Sequence, residues 1–189
     1  MLKFFKGDSK IKEDIRKEFD KLNLHTCCFT GHRSQKLPWK FNEDDLRYKM
    51  TRNRVEDEIE KAITKGYNHF ISGMAIGFDI MCAEIVLEFK KKYKNIILEC
   101  AVPCKWQESK WIEKEQIRYK RILKQADKIR CIYDKYVDGC MKERNQYMIN
   151  NSSLVIALFN GQWGGTKQTI EYAKSQGVEV IIINPVDKI

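Results

Sequence analysis

The sequence lacks a Cys-x-x-Cys pair, lacks any apolar run near the roughly 20 residues that would span a bilayer, and lacks both the dinucleotide fingerprint and the Walker pattern. The first absence, with an odd count of seven cysteines, argues against a zinc site or a disulfide framework. Most of Cys27, Cys28, Cys82, Cys100, Cys104, Cys131 and Cys140 fall in apolar segments, where a free thiol behaves as a small hydrophobe. His25, His32 and His69 are too scattered to complete a ligand set, so no metal is expected. The second absence excludes a helical membrane span. The opening "MLKFFKGDSKIKEDIRKEFDKLN" turns densely charged after a four-residue apolar-basic start, without the apolar core of a signal peptide, so the expected location is the cytoplasm. No linker, low-complexity segment or internal repeat interrupts the 189 residues, a length that suits one domain with a sizeable core.

Charge of one sign is in excess. Lysine and arginine outnumber the acids 35 to 26, a formal net charge of +9, and a basic surface supplies nonspecific affinity for phosphate. The lysines are nevertheless spread out and mixed with glutamates, as in "EFKKKYKN" and "KWIEKEQIRYKR", the pattern of solvated helix faces. Aromatics do not interleave with them in an RNA-binding pattern, so nucleic acid is the less favoured partner.

What is present is an alternation. Residues 1–24 read as a charged helical extension, with one helix from about Ser9 to Leu22, and residues 25–189 as a single domain. Short β-rich runs begin at Thr26, His69, Ile96, Lys128, Ser153 and Val178, and the runs near Val155 and Ile181 are apolar almost continuously, as burial on both faces requires. Between them lie helical segments, from about Glu43 to Lys65, Ala75 to Lys92, Glu108 to Gln125, Gly139 to Asn150 and Thr166 to Gln176. In the first, Leu46, Met50, Val55, Ile59, Ala62 and Ile63 lie near one face, and Asn42 followed by acids marks its start. The expected fold class is α/β: a Rossmann-like three-layer sandwich, a mostly parallel sheet of about six strands with helices on both faces.

In a parallel sheet the strand C-termini share one edge, and ligands bind there where strand order reverses. Three strand exits carry glycine: "FTGHRS", "ISGMAIGFD" and "FNGQWGGT". Glycine lets an anion approach backbone N–H groups, and a following helix N-terminus adds unpaired donors and positive dipole. Thr166 adds a hydroxyl for a phosphate oxygen or for capping, His32 adds a donor, and Arg33 can clamp phosphate or carboxylate bidentately. Asp79, in the opening turns of its helix, can offset the dipole or accept bonds from a ribose. Arg144 in "MKERNQYM" sits on a short helix ahead of the fifth strand, within a charged run.

The ordered set "TGHR", "SGMAIGFD", "MKERNQYM" and "NGQWGGT" resembles the SLOG superfamily, which contains the DNA-processing protein A family and the LOG phosphoribohydrolases, and is closest to the YpsA-like branch of bacteria and phages. The similarity covers about Thr26 to Pro185. Ser72, Gly73, Ala75, Gly77 and Asp79 match the Ser-Gly-x-Ala-x-Gly-x-Asp motif of the DNA-processing branch, and "MKERN" with "GGT" is similar to the LOG pair Met-His-x-Arg-Lys and Pro-Gly-Gly-x-Gly-Thr-x-x-Glu. By that resemblance Arg144 contacts the ribose phosphate region of a ligand. The implied cradle comprises Thr30, Gly31, His32 and Arg33 from the first loop, and Ser72, Gly73, Met74, Gly77 and Asp79 from the second. Arg144 and Asn145 join it from the helix, and Asn160, Gly161, Gly164, Gly165 and Thr166 from the last loop.

The resemblance implies a protein that binds or senses a nucleotide or nucleotide-derived ligand, such as a ribose phosphate or an ADP-ribose-like molecule, with no other cofactor. A second reading is hydrolysis of a nucleotide N-glycosidic bond. Where LOG enzymes carry acids, this chain has Gln168 and Thr169, and Glu171 lies further along the helix, so Asp79, Glu84 or Glu143 would stand in for the carboxylate, with Arg144 beside them. A third is single-stranded DNA binding, as the DNA-processing likeness and the +9 charge suggest. A helix face can also make a homodimer.

Overall fold

A computed structural model of the protein describes residues 24–186; the helix expected from Ser9 to Leu22 lies outside them. Six strands form one sheet: β1 Thr26–Gly31, β2 His69–Ser72, β3 Ile97–Cys104, β4 Lys128–Tyr133, β5 Leu154–Leu158 and β6 Glu179–Ile183. Five α-helices connect them: α1 Leu46–Thr64, α2 Phe78–Lys92, α3 Glu113–Gln125, α4 Cys140–Asn150 and α5 Gly165–Ser175. The sheet runs β4-β3-β2-β1-β5-β6 with every pairing parallel, so the mostly parallel expectation becomes wholly parallel. From β1 the chain builds outward to β4, then returns to lay β5 against the other side of β1 and β6 beyond it. Strand order therefore reverses between β1 and β5, where Cys28 pairs with both Ile71 of β2 and Val155 of β5.

Side chains alternate across the sheet with the strand period of two. Cys27 and Phe29 join Val55, Ile59, Ile85 and Ile122 under α1, α2 and α3. Cys28, between them in sequence, joins Val155, Ala157, Met148, Ile149 and Ile170 under α4 and α5. Two apolar layers thus clamp one sheet. All seven cysteines are free thiols and only Cys131 is not buried.

Burial on both faces holds for β5, whose five residues are all buried, and not for the apolar run near Ile181. β6 is an edge strand, paired on one side only, and Ile182 is 42% exposed. The first helix also differs from its expected start and stripe. It opens at Leu46 behind Asp45, whose carboxylate accepts the Arg47 N–H at 2.8 Å, and its buried residues are Tyr48, Thr51, Val55, Ile59 and Ala62. Leu46 and Met50 face outward, because Tyr48 takes the inner position, edge-on to Trp39 with ring centroids 5.9 Å apart. No helix among the described residues is long and apolar enough to cross a membrane.

Candidate functional site

The crevice between the ends of β1 and β5 holds a cavity of about 400 Å³. Its floor is the β1 exit, Thr30 and Gly31, followed by His32 and Arg33. One wall is the α5 N-terminus with Gly164, Gly165 and Thr166, and the other is Arg144 and Asn145 of α4 with Ala75 and, in the first turn of α2, Asp79. Ten of the sequence-predicted residues therefore meet at one cavity, and three loops and one helix supply them.

The glycines divide into two groups. At Gly31 a Cβ would overlap the Phe78 ring, and at Gly77, with φ +108°, a Cβ would sit 2.6 Å from the Ser34 nitrogen and 2.9 Å from the His32 oxygen. These two let the first loop press on the start of α2, where Arg33 and Gly77 form a backbone bridge. Gly73 makes room for the Arg144 guanidinium and the Asp79 carboxylate. At Gly165, by contrast, a Cβ would meet nothing within 4 Å. The first N–H groups of α5 are unpaired within the helix and open on the cavity, a favourable place for an anion.

Ser72, Gly73, Met74 and Gly77 do not line the cavity; they shape the turn that aims Asp79 into it. The Ser72 hydroxyl donates to the Asp79 carbonyl at 2.8 Å and accepts the Met74 N–H at 3.2 Å, while Met74 itself is buried in the left-handed region with φ 55°. Asn160 and Gly161 lie outside the lining too. Asn160 Oδ1 sits 2.7 Å from His32 Nε2 and accepts the Gln162 N–H at 3.1 Å, which ties the first loop to the last. Thr166 lines the cavity and caps nothing, since α5 begins behind Gly164 without a side-chain cap bond.

Arg144 and Asp79 form the buried centre. Each is about 5% exposed, with Nη1 3.7 Å from Oδ2, and Arg144 Nε donates to Asn145 Oδ1 at 2.9 Å. Arg144 Nη1 has no hydrogen-bond partner among the described residues, although a buried guanidinium is costly to leave unsatisfied. Burial pushes the Asp79 carboxyl above its ordinary value, against the pull of Arg144, the Ala75 N–H and Arg33. Burial likewise pulls Arg144 down, with Asp79 opposing. Burial, opposed by Asn160 and reinforced by Lys36, lowers His32, which favours its neutral imidazole. With Arg33 and Lys36 at the mouth, three cations face one carboxyl, and the cavity suits an anion.

Sequence reading missed Gln35, Lys36 and Met141, which also line this cavity. The polar pair directly after "TGHRS" is the available signal for two of them: Gln35 and Lys36 lie on a short 3₁₀ turn, Ser34–Lys36, that borders the cavity. Glu84 and Glu143 lie elsewhere. Glu84 pairs with Arg118 and Arg121 between α2 and α3, and the exposed Glu143 accepts from the Tyr133 hydroxyl. Glu171 pairs weakly with Lys167 at 3.8 Å, away from the cavity. Thr169, at the position of the LOG acid, is spoken for: its hydroxyl donates to the Gly165 carbonyl at 2.8 Å and accepts from Asn145 Nδ2 at 2.9 Å. Among the described residues no group of three or more His, Cys, Asp or Glu side chains is placed to hold a metal.

The model of the YpsA family, described as the YspA SLOG family, matches residues 27–186. The chain belongs to that family. The match takes in β1 from Cys27, the other five strands and every loop of the cavity, so the crevice is a property of the matched region. Among relatives, the SPbeta prophage-derived protein YoqJ of Bacillus subtilis is 36% identical over 129 residues, 61% of this chain and 75% of that one. A UPF0398 protein of Brevibacillus brevis is 27% identical over 128 residues, covering 67% and 68% of the two chains. Of solved structures, DNA processing protein A from Streptococcus pneumoniae superposes with a TM-score of 0.59 at 16% identity, over 86% of this chain and 51% of that one, so this chain spans about half its length. The Helicobacter pylori DNA processing protein A, whose structure is described for its single-stranded DNA binding mode, gives 0.56 at 15% identity over 87% and 67%. At these identities the likeness is one of fold.

Proposed function

We propose that this family member binds a phosphate-bearing, nucleotide-derived ligand in the crevice between β1 and β5. The observation that carries the reading is Arg144: a guanidinium 4% exposed, one nitrogen unpartnered, set beside the open N-terminus of α5. A phosphate there receives the α5 N–H groups and the Arg144 donor together, with Arg33 and Lys36 closing over it. Asp79 orients Arg144 and presents an acceptor to a ribose hydroxyl.

Binding is favoured over cleavage of an N-glycosidic bond. Such cleavage needs an ionised carboxylate for the developing oxocarbenium charge or for water. Among the described residues Asp79 is the one acid on the cavity wall, and its carboxylate is already engaged by Arg144 and by the Ala75 N–H, 3.3 Å away. Single-stranded DNA is the second reading, from the fold shared with the Helicobacter pylori protein. It takes the same phosphate chemistry and extends it along a strand.

Titration calorimetry with ribose 5-phosphate, nucleoside monophosphates and ADP-ribose tests the proposal against Gly165→Val. That side chain enters open space, so the fold and Tm are retained while the anion site is filled. At least one ligand is expected to bind with Kd below about 1 mM and to lose at least about tenfold in the variant. No binding across the panel, or equal binding by both proteins, overturns it.

A further inference from the structure

A second cavity of about 590 Å³ adjoins the first, between α4 and α5, and the two share Met141, Asn145 and Gly165 as a common wall. Its chemistry differs. The first presents Arg33, Lys36 and Arg144; the second presents the rings of Tyr136 and Tyr172, the Met141 thioether and the side-chain amides of Gln146 and Gln168. Those two amides have no hydrogen-bond partner among the described residues. Lys142 and Asp138 enter it as one charge of each sign, so it offers no net attraction for a second phosphate.

We infer that the second cavity takes the planar base of the ligand, so that the full ligand is a base-bearing nucleoside phosphate and not a bare sugar phosphate. A heterocyclic base has an apolar face and a hydrogen-bonding edge. Tyrosine and methionine side chains match the face, and amides that can each donate and accept match the edge. Asn145 stands at the junction, where the ribose joins the two halves. Its Nδ2 is fixed on Thr169 and its Oδ1 on Arg144, so base and phosphate subsites are held in one register. A volume of about 590 Å³ lies within the range of small-molecule sites, roughly 300–1,000 Å³, and exceeds what a ribose alone would fill.

The inference rests on the phosphate reading above, and its test separates the two. Inorganic phosphate, ribose 5-phosphate and the adenosine, guanosine, cytidine and uridine monophosphates are titrated into the wild type and into Tyr136→Ala combined with Gln168→Ala. Both positions are exposed, so the double variant keeps its fold, which a thermal melt checks. At least one nucleoside monophosphate is expected to bind about tenfold or more tighter than ribose 5-phosphate, and the double variant to erase that advantage without changing ribose 5-phosphate. Equal affinity for ribose 5-phosphate and every nucleotide, or a variant that weakens all probes alike, overturns the base subsite and leaves the phosphate site standing. Failure of all six probes on the wild type overturns the base subsite, and failure of ADP-ribose as well overturns the phosphate site.

Discussion

A Cβ added to Gly73 would overlap Arg144 Nη1 and lie 2.6 Å from its Cζ and 2.7 Å from Asp79 Oδ2, so this glycine sets how closely the second loop packs on the buried ion pair. The neighbour is the end of a flexible side chain, and it is the guanidinium that must give way. Gly73→Ala is therefore expected to cost about 1–3 kcal/mol of stability, roughly 2–12 °C in Tm, and to weaken phosphate binding at least as much as it weakens the fold. Thermal melts with and without ribose 5-phosphate read both effects; a variant that melts and binds like the wild type would show that Arg144 does not need this space. The same residue shows what was legible at this scale. The motif marked Gly31, Gly73 and Gly77 as significant, but nothing in a sequence distinguishes a glycine that admits a ligand from one that admits Phe78 or Arg144. That distinction belongs to contacts 47 and 71 residues apart in the chain, whereas a Cβ at Gly165 would meet nothing within 4 Å.

Helices and strands were largely readable because each buries one face or two, and burial leaves a period in the sequence. Their ends were not. Asn42, Glu43, Asp44 and Asp45 form a run in which three residues, Asn42, Asp44 and Asp45, can cap a helix, and local sequence cannot choose among them. Packing chooses: Tyr48 must reach Trp39, which sets the start of α1 at Leu46 with Asp45 as cap. Asn42 is left to accept the Asp44 N–H in a turn outside the helix. Asp45→Ala is expected to cost about 1 kcal/mol, or roughly 2–4 °C in Tm, and Asn42→Ala only a few tenths of that. Equal losses from the two would mean that the helix starts where the sequence first suggested. The second cavity could also have been read at this scale. Gly165, Gln168, Thr169 and Tyr172 recur at helical spacing along α5, and Lys142, Asn145 and Gln146 do the same along α4, each a largely polar stripe where an apolar one would be ordinary.

Over the whole molecule the +9 charge and the cavity make different demands on a partner, and salt separates them. A nucleoside monophosphate held as proposed would bring one phosphate to Arg33, Lys36 and Arg144, so few counterions would be released on binding. A single strand laid over a basic surface neutralises many phosphates, and its log K falls with log salt by about 0.7 for each. Six such contacts would lose on the order of a hundredfold or more between 50 and 200 mM salt, whereas the small ligand should lose less than about tenfold. The basic residues here are scattered and many are already paired: Arg52 with Glu56 and Glu88, Lys92 with Glu60, Arg118 with Glu43 and Glu84. Those pairs remove cations from the reach of a nucleic acid without touching the three at the cavity. Fluorescence titration of a labelled nucleoside monophosphate and of a labelled oligothymidylate, each at several salt concentrations, is expected to show nucleotide binding that survives 200 mM salt and is abolished by Gly165→Val. Oligothymidylate should bind more weakly at that salt, with a slope that Gly165→Val does not change. A steep oligothymidylate slope joined to tighter binding than any nucleotide, lost in Gly165→Val, would instead make the crevice one station along a DNA strand.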